Sequence, residues 1–450
     1  MPGTQQRIEP PPRYRALFGE ALADLPGAAT LPCRRLREES FARFEALGFP
    51  GPKTEAWKYT QLAPLTKLEL GLPAPARLAR AEITPFLIDD PAAVRLVFVN
   101  GRFAADLSDG LSAAMSDRDG VSVESLDAAL ERGDADCLEL LPQEDDERGL
   151  SALNNALVAG GVLIRLADHA TPGGPVQLLF VSVRQDHAAL ISPRNLVVLG
   201  DGAMLDLIES HVTLGGASNV TNLVNQITVG RAAQLRHDRL QLGEIAGSLI
   251  GRTAYRIAAD ARLTQSQATL GGGLVRNEIA ALVDGSGVEL NLNGLYLTRG
   301  RQHVDNAIRV DHAKPGSVSD QFYKGVLDGE ARAVFAGKIV VRREAQKTNA
   351  YQTNSNLLLS PDAEIDTKPE LEIFADDVKC SHGATAGEID ERELFYLRTR
   401  GLDPDTARSM LTFAFAEEVL QRFGNAAVAA QARRELVRRL PGGARLGELA

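Results

Sequence analysis

Between about residues 155 and 383 short β-prone runs alternate with Gly, Asp and Asn turns, and helical spacing of the apolar positions disappears. A weak template recurs within this stretch: a turn residue, a small residue, then an apolar residue two further on. It reads Gly202-Ala-Met-Leu205, Arg231-Ala-Ala-Gln-Leu235, Asp260-Ala-Arg-Leu263, Gly287-Val-Glu-Leu290, Glu330-Ala-Arg-Ala333 and Asp362-Ala-Glu-Ile365. The last residues of these units step by about 30, with one long interval between Leu290 and Ala333. Stacked β coils produce such a step, because no coil closes its own core and stacking buries a shared apolar column. The long interval then reads as one enlarged coil. The turns of a β-sandwich also recur, and periodicity leaves that alternative open.

The flanks read differently. Leu36, Phe41, Phe44 and Leu47 approach helical spacing over Leu31 to Leu47, and Gly48-Phe-Pro-Gly-Pro ends that helix. Val94 to Asn100 reads as a strand entering an Asn100-Gly101 turn, and Ala113 to Leu141 as short helices and loops. The polar, proline-rich start, Met1 to Pro12, reads as a flexible tail. Beyond residue 390 the pattern is helical: Glu391 to Arg400 stopped by Gly401, then a helix opening at Pro404, then Ala426 to Leu440. The second helix carries a wide apolar stripe of Ala407, Met410, Leu411, Phe413, Phe415, Val419, Leu420 and Phe423, and the third a charged face from Arg433 to Arg439. The predicted architecture is mainly β. An α+β region over 1–150 precedes a β-helix core over 151–385, and a helical region over 386–450 completes the chain.

Composition narrows the function. The chain has 450 residues and a net charge of −10, which argues against a general nucleic-acid binder, and aromatics at 5% are too few for base-stacking platforms. No apolar run reaches the roughly 20 residues needed to span a bilayer, so no membrane partner is expected. Cys33, Cys137 and Cys380 lie far apart and are odd in number, which fits a reducing compartment rather than a disulfide framework. No leader segment is visible, and a cytoplasmic location is the expectation.

The common cofactor signatures are missing. Gly337-Lys338 is followed by Ile339 and preceded, five residues back, by Arg332, so it is not a phosphate-binding loop. Neither Gly200-Asp-Gly202 nor Gly285-Ser-Gly287 has the third glycine of a dinucleotide fingerprint. What remains is Cys380-Ser-His382: two apart on a strand, the thiol and imidazole share a face and suit iron or zinc, with Glu372, Asp376 and Asp377 as nearby oxygen donors. Two ligands do not complete a site, so a partner, substrate or water would supply the rest. A packed cysteine beside a histidine bonded to backbone fits the same spacing. Of the other histidines, His303 and His312 read as parts of an ordinary coil, and His169, His187, His211 and His237 as surface or turn residues. Trp57 reads as a packing anchor joining the N-terminal helix to the rest of the chain, and Cys33 and Cys137 have no metal-like neighbours.

Several longer motifs resemble the SufB/SufD family of iron–sulfur cluster assembly proteins. They are Ser319-Asp-Gln-Phe-Tyr-Lys-Gly-Val-Leu-Asp-Gly329, Phe335-Ala-Gly-Lys-Ile-Val-Val341, Ala345 to Leu359, Thr367-Lys-Pro-Glu-Leu-Glu-Ile373, Asp376 to Ala384 and Leu394-Phe-Tyr-Leu-Arg-Thr-Arg-Gly401. Lys53-Thr-Glu-Ala-Trp-Lys-Tyr-Thr60 and the Cys-Ser-His tripeptide resemble the SufD branch of that family. The resemblance implies a right-handed parallel β-helix core between helical ends. It implies a scaffold rather than an enzyme, pairing with SufB through the β-helix and docking the SufC ATPase through the C-terminal helices. A transient iron–sulfur cluster or iron would sit at the SufB interface, with His382 as the favoured ligand and Cys380 beside it, and nucleotide would be held by SufC alone. A homodimer of the isolated chain is also compatible. Two further readings stay open: a purely structural partner of SufB, and a metal-dependent β-helix enzyme using Cys380 and His382.

Overall fold

The computed structural model describes residues 7–110, 120–141, 148–441 and 443. From Met204 onward consecutive strands alternate between two facing sheets, and every neighbour within each sheet is parallel. The result is a parallel β-solenoid of about eight turns between residues 160 and 387. Side-chain alternation along a strand puts every second residue into the lumen, and the parallel register stacks equivalent residues into columns. One column runs Leu205, Leu235, Leu263, Leu290, Ser319, Ala350, Cys380. The turns before its first four members share a left-handed residue three positions earlier: Gly202, Ala232, Asp260 and Gly287 all have positive φ. Gly202, Asp260 and Gly287 open their units of the template, and glycine and aspartate adopt that conformation at lower cost than most residues.

The enlarged coil expected between Leu290 and Ala333 does not exist. Leu290 is in register with Ser319 in one sheet, whereas Ala333 is in register with Ile365 in the other. The apolar template crosses the lumen at this point, because the column position after Leu290 is a serine. Ser319 is buried and partnered there by the His312 Nε2 at 2.9 Å, so a polar residue holds a core position.

The N-terminal region is built onto this stack. The helix Leu31–Leu47 forms as expected and packs on the helix Gly149–Leu157, which the sequence pattern did not reveal. Phe18 and Phe41 stack with centroids 4.3 Å apart inside the same cluster. Val94–Val99 adds in parallel to Val176–Val183 and turns through Asn100 and Gly101 into Arg102–Phe103. Val121–Ser125 is a strand rather than part of a helix-and-loop run, antiparallel to Gly160–Leu166, and the helices Leu126–Arg132 and Ala135–Leu140 come after it. Residues 113–119 lie outside the described residues. The start is not a free tail throughout: the Ile8 and Phe49 backbones exchange hydrogen bonds at 3.0 and 2.9 Å.

The C-terminal helices Glu391–Thr399, Pro404–Leu420 and Ala426–Arg439 are capped by Asp390, Asp403 and Asn425. Ala416, Val419, Leu420, Val428, Ala432 and Leu436 cover Ile208, Leu240, Leu295 and Val326 on the outer face of one sheet. Met410, Phe413, Phe415 and Phe423 are only half-buried around them. Lys324 Nζ pairs with Glu418 at 2.8 Å and lies 4.2 Å from the Phe415 ring centre, pinning the second helix to the solenoid.

Candidate functional site: the open final coil

The last coil consists of Glu364–Ile373 and Lys379–Gly387. Each is bonded to one neighbouring strand of its sheet, Arg332–Val341 and Asn349–Leu358, and has no strand beyond it among the described residues. Two adjacent strand edges therefore present backbone N–H and C=O groups at one end of the stack. Ile373 and Phe374 are 40% and 61% exposed at this end, an apolar rim on an otherwise polar edge.

Cys380 and His382 lie on the same face of the terminal strand, as their spacing predicts, with Cα atoms roughly 6.6 Å apart at the ordinary strand rise. Their surroundings differ. Cys380 continues the column above Ala350 and packs with Ala345, Ala350 and Ala375, half-buried, and burial pushes its thiol pKa up against the lowering effect of a backbone hydrogen bond at Ala350. His382 is exposed because no further coil covers it. Beneath His382 the column continues through Gln352, Gln321, Leu292, Gln265 and His237. Gln352 Nε2 donates to Gln321 Oε1 at 2.9 Å. Across the lumen, a Cβ on Gly337 would come 2.2 Å from Gln352 Nε2. The glycine before Lys338 thus makes room for a buried amide rather than cradling a phosphate.

The carboxylates expected around the pair are not gathered with it. Glu372 is on the other strand of the coil and is held by Lys338 Nζ at 2.6 Å. Asp376 and Asp377 lie in the intervening turn, where the Asp377 N–H donates to Gln346 Oε1 at 2.9 Å. Among the described residues no group of three or more His, Cys, Asp or Glu side chains is arranged to hold a metal ion.

Sequence reasoning missed a buried ionic cluster in the lumen. His211 and His237, expected at surfaces or turns, are 5% and 0% exposed. Glu209 accepts hydrogen bonds from Arg239 Nε at 2.8 Å and Asn225 Nδ2 at 2.7 Å, and lies 2.6 Å from His211 Nε2. Burial pushes the Glu209 carboxyl up, but Arg239 and the two imidazoles outweigh that and hold it well below the usual range. The same burial lowers both histidines towards the neutral form. The signal that would have found the cluster was available: Glu209 and Arg239, 30 apart, occupy the same place in successive coils. His169 and His187 are exposed, as expected, and Cys33 and Cys137 are buried in an apolar cluster. His303 and His312 belong to one strand of an ordinary coil.

A parallel solenoid with one uncovered end, helices on one flank and a Cys-x-His pair on the terminal strand is the architecture to be placed. Residues 180–415 match the family described as SUF system FeS cluster assembly, SufBD core domain, and residues 9–178 match the SufBD protein N-terminal region. These matches define an iron–sulfur cluster assembly protein of the SUF system. The chain is 32% identical to the iron-sulfur cluster assembly protein SufD of Escherichia coli strain K12, covering 88% of this chain and 91% of that one. A SufBD family protein of Synechocystis is 32% identical over 84% of each chain, and SufD of Bacillus subtilis is 25% identical over 86% and 89%. The chain belongs to the SufBD family.

Proposed function

We propose that this chain is a non-catalytic scaffold subunit of a SUF assembly complex, completed at its open final coil by a SufB-type partner. The observation that carries the reading is the pair of unpaired strand edges beside His382 and Cys380. A partner chain that continues either sheet would satisfy those backbone groups, cover Ile373 and Phe374, and bring its own side chains against the imidazole. A neutral imidazole supplied from one side and thiolate or carboxylate from the other suits transient iron or a nascent cluster as cargo. The same edges support self-pairing when the partner is absent.

The helical end supports a second contact. Phe395 and Tyr396 are 66% and 57% exposed on the helix Glu391–Thr399, while its Leu394 and Leu397 pack inward. Two neighbouring exposed aromatics fit the docking of an ATPase of the SufC type, which would bring the nucleotide chemistry to a cytoplasmic complex.

Co-expression with SufB and SufC tests the reading. His382→Ala is expected to leave the three-chain complex intact and to abolish its iron–sulfur absorbance. Unchanged absorbance would remove the ligand role and leave a purely structural partner, a reading supported by the packing of Cys380 against alanines. Cluster chemistry by the isolated chain would instead favour an enzyme.

A further inference from the structure

We propose that Gln352 is a positioning residue for His382: its Oε1 accepts a hydrogen bond from one ring nitrogen and so leaves the other free to bind iron. The inference rests on the ligand role of His382 proposed above and reaches one coil deeper into the stack.

Gln352 lies directly beneath His382 in the parallel register, and neighbouring strands run about 4.8 Å apart. Its side chain is buried, and its Nε2 is committed downward to Gln321 Oε1 at 2.9 Å. Its Oε1 is buried too, with no hydrogen-bond partner among the described residues. Buried amide oxygens are nearly always paired, so this one marks the place of a missing donor.

The stacking shows where that donor comes from. Below, Leu292 follows Gln321 in the column and ends the polar run. Across the lumen, Pro369 is stacked on Gly337 and carries neither an N–H nor a polar side chain. Above stands His382, exposed and confined by no further coil, so rotation of its side chain brings the ring over the amide. A neutral imidazole has one N–H and one lone pair, and the hydrogen bond made by the first decides which nitrogen presents the second. An acceptor held from below selects the tautomer whose N–H turns inward and whose lone pair faces the open end. Gln321 thus fixes the amide, and the amide fixes the ring.

The test reads the His382 tautomer in the isolated full chain, by nitrogen-15 NMR of ring-labelled histidine at about pH 8.5, where imidazoles are neutral. His382→Ala assigns its signals among the seven histidines. One tautomer is expected to be favoured about five-fold more strongly than in a free Ser-His-Gly peptide, the shift that one ordinary hydrogen bond produces. Gln352→Met removes the acceptor at nearly constant volume and should return the ratio to the peptide value. Gln352→Glu keeps an acceptor, with Gln321 turning its unpartnered Nε2 toward the carboxylate, and should hold the ratio. In the three-chain complex, Gln352→Met should lower the iron–sulfur absorbance at equal complex yield, and Gln352→Glu should restore it. A wild-type ratio equal to the peptide's overturns the proposal without any variant, as does an unchanged ratio in Gln352→Met. Should Gln352→Met fail to fold by circular dichroism, the wild-type ratio and Gln352→Glu decide, and a peptide-like ratio in either overturns the proposal. Unchanged absorbance in His382→Ala removes the ligand role of His382 and with it this proposal. A peptide-like ratio beside lost absorbance in His382→Ala sinks the role of Gln352 alone.

Discussion

The Arg276 guanidinium stacks 3.9 Å from the centre of the Trp57 indole while bonding the carbonyl of Ala56 and the carboxylate of Asp305. Thr60 Oγ1 lies 2.9 Å from His303 Nε2, and Glu55 pairs with Lys368 Nζ at 2.5 Å. The segment around Trp57 is therefore a clip between the N-terminal region and three strands of one sheet. Trp57→Ala is expected to cost about 3–5 kcal/mol in urea unfolding, the usual range for deleting a buried tryptophan. A loss below about 1 kcal/mol would show that the clip contributes little.

Asp238 holds the loop between the last two helices, accepting from the Asn425 N–H at 2.7 Å and the Gly424 N–H at 3.3 Å. Burial pushes its carboxyl from 3.8 up to about 7, outweighing the lowering effect of those two N–H groups. A raised carboxyl means that the folded state holds the proton more tightly than the unfolded chain. Its favourable contribution is thus complete below about pH 4 and lost as pH rises through about 7. Asp238→Asn keeps an acceptor for both N–H groups and removes that dependence. The variant should exceed the wild type in Tm at pH 8, by up to about 4 kcal/mol in stability, and the gap should close towards pH 4.

His312 and the Glu209 cluster pull the other way. Burial lowers the His312 pKa from 6.5 to about 4, so the unfolded chain binds the proton more tightly in that interval. Its contribution is complete above about pH 6.5 and lost as pH falls towards 4. Glu209, held below its usual range, adds to the same acid loss at lower pH. Glu209→Ala strands the buried Arg239 and is expected to cost about 3–5 kcal/mol in denaturant unfolding at pH 7. A wild-type-like midpoint would show that Arg239 finds another partner.

The Cys380 thiol, half-buried and raised in pKa, should be alkylated by iodoacetamide at pH 7 more slowly than free glutathione. Cys33 and Cys137 are buried, and burial pushes Cys137 up to about 12. Mass spectrometry of the folded chain should therefore show adducts on Cys380 ahead of the other two, which become equally reactive only in denaturant. Cys137 modified first in the folded chain would contradict this order.

The coil step of about 30 residues, the helix Leu31–Leu47, the Pro404 helix start and the shared face of Cys380 and His382 were all legible in the chain. Each rests on short-range rules: strand and helix periods, turn residues with positive φ, and helix caps. The family motifs between Ser319 and Gly401 were legible as strings of residues before any position in space was known.

Tertiary structure decided what those residues face. Periodicity placed Leu205 and Ile365 in one series, but only the register shows that they lie on opposite walls of the lumen. Cys380 and His382 share a strand face, yet one is packed and the other open, because the alanines beneath Cys380 close around it and no coil comes after to cover His382. His211 and His237 look like surface residues in the sequence. They are interior because Glu209 and Arg239, brought together by stacking, compensate their burial. Sequence spacing determines which way a side chain points along its own strand, and stacking alone determines which side chains it meets.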